Sequence, residues 1–201
     1  MNLESRLYWI FDMDGTLTVP AHDFDAIRTE LGLPQGRPIL EQLADLPAEK
    51  AGMLHTRLEE IELEIARDAV RQPGSEKLLS TLRARGATVG ILTRNSHRNA
   101  LETLRACGLA DFFDPDNVMA RESCAPKPSA DGIRKLLARW SATPEESVMV
   151  GDFLFDILAG REAGTATVFV DNHGKNEYAR KADKSVKNLE ELLTSIARTG
   201  N

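Results

Sequence analysis

The chain has 201 residues, 42% of them hydrophobic and 28% charged, with a formal net charge of −6. This length suits one α/β domain with an insert or two small domains, and the composition is that of a folded soluble protein, not a disordered or membrane one. The acidic balance, without a Lys/Arg stripe, argues against broad nucleic-acid binding, since a polyanion would be repelled over most of the surface. No apolar stretch approaches bilayer-spanning length, and Met1 to Arg6 lacks the basic-then-apolar plan of a signal peptide, so a cytoplasmic location is expected. Cys107 and Cys124 form no close-spaced metal or redox motif and are expected to be reduced thiols.

The first apolar run, residues 7–11, reads as a buried strand, and Asp12-Met13-Asp14-Gly15-Thr16 follows directly. Open parallel sheets bind ligands beyond the carboxyl ends of their strands, and a glycine lets the chain bend there. A plain strand-to-loop turn would also use Asp and Gly. From about Val19 to Gln72 the sequence carries helical patterns and no convincing strand. Phe24, Ile27 and Leu31 mark one helix ending at Gly32 and Pro34; Leu54, Leu58, Ile61 and Ile65 mark a long acidic one. Those stripes are read as helix packing.

From Pro73-Gly74 onward the chain alternates helix and strand. A helix with Leu78, Leu79 and Leu82 closes near Gly86, residues 87–92 form a strand ending at Thr93, and a helix from Ser96 to Cys107 stops at Gly108. Ser129 is the expected N-cap of a helix bearing Ile133, Leu136, Leu137 and Trp140. Strands follow at 148–150 and 166–170, and Leu189, Leu192, Leu193 and Ile196 mark a terminal helix. This rhythm predicts an α/β fold: a Rossmann-like parallel sheet flanked by helices, built from 1–18 and 73–201, with 19–72 as an inserted helical domain.

Four polar sites fall at strand ends or in loops that reach them: Asp12/Asp14, Thr93, Lys127 between Pro126 and Pro128, and Gly151-Asp152-Phe153-Leu154-Phe155-Asp156. Phosphoryl transfer from a monoester needs a nucleophile, a proton donor for the departing alkoxide, and cations or hydrogen-bond donors around the oxygens. Together the sites supply these parts. Asp12 and Asp152 with a backbone carbonyl would suffice for a hard divalent ion such as Mg2+. Lys127 would offset charge on nucleophile and phosphate, and Thr93 would donate its hydroxyl. Each has a duller alternative: Thr93 as a helix cap, Lys127 as a solvated loop charge, Asp152 and Asp156 as acids favouring a helix dipole.

In this order and spacing the motifs resemble the haloacid dehalogenase-like hydrolases, in particular the subgroup with phosphoglycolate phosphatase and β-phosphoglucomutase. The resemblance rests on Asp12-x-Asp14-Gly15-Thr16, the apolar run ending in Thr93, Lys127-Pro128, and Gly151-Asp152-x-x-x-Asp156, and covers nearly the whole chain. It implies that Asp12 is a nucleophile forming an aspartyl-phosphate and Asp14 a general acid and then base. It further implies that Asp12, Asp152 and the carbonyl of Asp14 hold Mg2+, that Asp156 supports the metal, and that Thr93 and Lys127 hold the phosphoryl group. Arg94 and Asn95 are assigned with them to phosphate and substrate binding. The insert at 19–72 would be a helical cap. Phe153 departs from the small polar residue common at its position and is expected to pack under the cap or narrow the site. The implied activity is hydrolysis of a small phosphorylated metabolite by a monomer or homodimer. A phosphomutase is the alternative, weakened because the first cap helix lacks the mutases' substrate-loop pattern; a non-catalytic relative ranks lower, since each motif position keeps a competent side chain. Asp14 argues against dehalogenation, which needs no second carboxylate. His22, Asp23, His97 and Cys124 lie near the motifs; His22 is read as a solvated surface residue, and His173 as having no ligand pattern.

Overall fold

A computed structural model describes residues 3–172, 174 and 177–197, and His173 lies outside them. Six parallel strands lie in the order β3-β2-β1-β4-β5-β6: β1 Tyr8–Phe11, β2 Thr88–Leu92, β3 Val118–Met119, β4 Ser147–Gly151, β5 Ala166–Val170 and β6 Lys184–Val186. Tyr8 sits in register with Thr88 on one side and Ser147 on the other. Side chains alternate across β1: Trp9 and Phe11 enter the larger apolar core, and Ile10 enters the core on the opposite face with Leu92, Ile133 and Met149. Burial on both faces explains the apolar run over residues 9–11, while Tyr8 is half-buried and Leu7, just before the strand, is exposed.

Helices α4 Ser75–Ala84, α5 His97–Ala106, α6 Asp131–Trp140, α7 Leu154–Ala163 and α8 Leu189–Ala197 flank the sheet. Ser96 caps α5, its side chain accepting from the Asn99 N–H at 3.2 Å. The expected cap at Ser129 falls one residue short: Ala130 is the N-cap of α6, and the Ser129 hydroxyl accepts from the Asp131 N–H at 3.2 Å. Strands β3 and β6 are additions to the sequence reading. Both are short edge strands, two and three residues long, which leaves too little pattern to read.

Between β1 and α4 lie α1 Phe24–Glu30, α2 Ile39–Ala44 and α3 Ala48–Arg67. These three build an apolar cluster of their own from Ile27, Leu31, Ile39, Leu43, Leu58 and Ile61. The packing role read for those stripes holds except at Phe24, which is 55% exposed. Two chain passes connect this cluster to the sheet. They are tied by backbone bonds from Val19 N–H to Val70 O at 2.8 Å and Gln72 N–H to Leu17 O at 2.8 Å.

Candidate active site

Strands are added outward in opposite senses from β1, with β2 on one side and β4 on the other, so the carboxyl ends of these strands form the crevice where open α/β sheets take ligands. Asp12 continues β1, its N–H bonded to Val150 O at 2.9 Å. Thr93 continues β2 in the same way, its N–H bonded to Met119 O at 2.9 Å. Asp152 follows β4, and Asp156 sits in the first turn of α7, where one carboxylate oxygen accepts from the Phe153 N–H at 3.0 Å.

Lys127 joins two of these stretches. Its ammonium donates to Asp12 Oδ1 and, at 2.6 Å, to Asp156 Oδ1. Lys127 is only 6% exposed and Asp156 1%, so neither is a solvated surface charge. Burial opposes the charge on Lys127, but Asp12 and Asp156 overcome that cost and hold the ammonium above its usual range. Asp12, Asp152 and Asp156 each bring a carboxylate oxygen within 4.8 Å of the others. Burial, reinforced by the charges of Asp12 and Asp156, pushes Asp152 up to about 8. Asp156 rises to about 6 through burial, despite the opposing ammonium.

Gly15 makes this approach possible. Its φ is +82°, and a Cβ there would lie 2.2 Å from Asp152 Oδ2. Thr16 contributes a hydroxyl between the two carboxylates, 3.5 Å from Asp12 Oδ2 and 3.4 Å from Asp152 Oδ1. The Asn172 side chain, just past β5, donates to Gly15 O at 2.6 Å. Neither Thr16 nor Asn172 was assigned a role from sequence; the strand-end rule that found Asp152 would also have found Asn172.

Asp14 has separate surroundings. Asn95 donates to its Oδ2 at 2.6 Å, and His22 Nδ1 lies 3.7 Å from Oδ1. Burial raises the Asp14 carboxyl above its usual range, with the Asp12 charge adding and His22, Asn95 and Lys127 opposing. The reading of His22 as a surface residue is corrected: its side chain is 9% exposed and its Nε2 is buried without a hydrogen-bond partner among the described residues. Thr93 is not the helix cap. Its hydroxyl oxygen accepts from the Asn95 N–H at 3.1 Å, so the Asn95 that faces Asp14 is held by Thr93.

The remaining candidates separate. Arg94 lines the same cleft, but its guanidinium bonds Glu41 on α2 at 2.5 Å and lies 6.0 Å from the Phe155 ring centroid. Asp23 caps α1, accepting from Ala26 N–H at 3.0 Å. His97 opens α5 with its ring at Pro115 O. Cys124 is half-buried, 3.6 Å from Ala120 O, and burial raises its thiol. Phe153 is 47% exposed and borders the cleft. Glu62 on α3 also reaches the cleft, paired with Arg121, whose backbone N–H donates to Asn95 O at 3.0 Å. No sequence pattern marks that pair, since its partners are 59 residues apart.

The fold and this crevice define an α/β protein with buried carboxylates gathered at its strand ends. The haloacid dehalogenase-like hydrolase pattern matches residues 20–170. An uncharacterized hydrolase of Saccharomyces cerevisiae, YOR131C, is 31% identical over 194 residues, covering 93% of this chain and 89% of that protein. A phosphoglycolate phosphatase of Nitrosospira multiformis is 31% identical over 137 residues, 66% of this chain and 59% of that one. A solved hydrolase from Pseudomonas syringae shares the fold, with a TM-score of 0.79 at 24% identity over 94% of this chain and 97% of its own. The chain belongs to the haloacid dehalogenase-like hydrolase family. No helix among the described residues is long and apolar enough to cross a membrane.

Proposed function

We propose that the protein is a Mg2+-dependent phosphatase of small phosphomonoesters, acting through a phosphorylated Asp12. The observation that carries this reading is the cluster of Asp12, Asp152 and Asp156 around the single ammonium of Lys127. Three acidic side chains gather beside one lysine, and a hard divalent cation would let all three carry their charge together. Asp12, Asp152 and the Asp14 carbonyl would hold the ion. Asp156, whose oxygens are engaged by Lys127 and the Phe153 N–H, would support that arrangement by fixing Lys127. When bound, the ion would supply charge neutralisation at the phosphoryl oxygens.

Asp12 Oδ1 is committed to Lys127, whereas among the described residues Oδ2 has only the long Thr16 contact, so Oδ2 is the attacking atom. It bonds to phosphorus as the bond from phosphorus to the alcohol oxygen breaks, and Asp14 gives its proton to that oxygen. Burial raises the Asp14 carboxyl above its usual range and so favours the protonated form that this step needs. Asp14, now a carboxylate, then takes a proton from water; the water oxygen bonds to phosphorus, the bond to Asp12 breaks, and phosphate leaves. Lys127 and the Thr93 hydroxyl stabilise the phosphoryl oxygens, and Asn95 orients Asp14. In this reading residues 1–18 and 73–201 form the catalytic core, and 19–72 act as a cap that excludes bulk water.

Asp12→Asn keeps the side chain's size and removes its attacking charge. It should abolish Mg2+-dependent release of phosphate from p-nitrophenyl phosphate and from a panel of phosphorylated metabolites. Turnover at the wild-type rate by that variant would overturn the assignment of the nucleophile.

A further inference from the structure

The cleft above Asp12 has a volume of about 580 Å3, and its lining is unequal in character. Phe24, Ile27, Ile39, Leu58, Phe153 and Phe155 give it apolar walls. Phe153 packs edge-to-face with Phe155 and with Tyr178, ring centroids 5.1 and 5.5 Å apart, while Phe24 stacks on His22 at 5.5 Å. Phe24 and Phe153 are 55% and 47% exposed, so aromatic surface stands open beside the carboxylates. Large open apolar surface beside a few convergent polar groups is the usual make-up of a small-molecule site.

The charges point the same way. Each cation lining the cleft among the described residues is already matched: Arg28 by Asp25 at 2.5 Å, Arg37 by Asp45 at 2.9 Å, Arg94 by Glu41 at 2.5 Å, and Lys127 by Asp12 and Asp156. The rim pairs are individually weak and can exchange partners. Exchange gains a substrate carboxylate little, however, because it replaces one surface ion pair, with Glu41 46% exposed, by another of similar weakness. An uncharged ring needs no exchange of ion pairs and covers the surface of Phe24 and Phe153 that their ring neighbours leave exposed.

We propose that the alcohol part of the substrate carries an uncharged aromatic or similarly planar ring that rests on Phe24, Phe153 and Phe155, and that a carboxylate in its place is disfavoured. This rests on the phosphatase reading above. Two non-hydrolysable phosphonates, 2-phenylethylphosphonate and 3-phosphonopropionate, differ only in phenyl against carboxylate and report binding without turnover. Calorimetric titration of the whole protein with each, in the presence of Mg2+, should find the phenyl compound bound about tenfold more tightly or better, as burial of one ring face provides. Phe24→Ala and Phe153→Ala should each reduce that preference, and both together should bring it near unity. Equal or tighter binding of the carboxylate compound, binding of neither, or a preference that survives the double substitution would overturn the proposal. Parallel assays with benzyl phosphate and phosphoglycolate separate it from the underlying reading: a phenyl preference in binding with no hydrolysis of either ester would leave the ring site standing and remove the phosphatase.

Discussion

Gly15 and Lys127 show how much of the site depends on single residues. A side chain at Gly15 would occupy the space of the Asp152 carboxylate, and its φ of +82° disfavours any L-residue. Gly15→Ala should therefore weaken Mg2+ binding and lower turnover by about a hundredfold or more, since small displacements of reacting groups carry penalties of that order. Titration calorimetry and steady-state kinetics would check this; wild-type affinity and rate in the variant would contradict it. Gly15 is legible as the bend after a strand, whereas Lys127 between two prolines reads alone as a solvated loop charge and stands out only through the order of the motifs around it. His22 is not legible, because a histidine past the end of a motif gives no sign of its burial until the fold closes it against Asp14.

Among the elements, α3 reaches the sheet through Glu62 and Arg121, whose side chains are 10% and 17% exposed. Because the Arg121 backbone also bonds Asn95, and Asn95 holds Asp14, the pair connects the inserted helices to the proposed general acid. Burial raises the Glu62 carboxyl even with Arg121 beside it. Arg121→Met leaves that carboxyl buried and unmatched and should cost about 3 kcal/mol of stability, whereas Arg121→Met with Glu62→Leu should recover much of the loss. Denaturant midpoints of the two singles and the double decide this, and simple additivity would contradict it. The long helices and interior strands were legible because several turns or an unbroken apolar run give a strong period. Helix α2 is six residues long, and edge strands β3 and β6 are shorter still, so packing against neighbours, not local pattern, defines them.

For the whole molecule, the gathering of acids at one end of the sheet ties stability to pH. Asp152 titrates near 8 in the fold against 3.8 ordinarily, so between these values the folded state binds more protons than the unfolded chain. Stability from this group is therefore lost as pH rises through that window, and Asp156, raised to about 6, adds to the loss in its lower part. A cation binding the deprotonated cluster offsets the loss. The rise in Tm on adding Mg2+ should be larger at about pH 8 than at about pH 5, because protons compete for the same oxygens. Thermal melts with and without Mg2+ test the sign; an equal or larger rise at the acidic end would contradict it.

The central claim is that Asp12 accepts the phosphoryl group beside a cation shared with Asp152. A crystal structure with Mg2+ and beryllium trifluoride, a mimic of a phosphorylated carboxylate, tests it most directly. The account predicts beryllium bonded to Asp12 Oδ2, its fluorines near Lys127 and Thr93, and Mg2+ between Asp12 and Asp152. Beryllium on another residue, or a cation bound away from both aspartates, would contradict it.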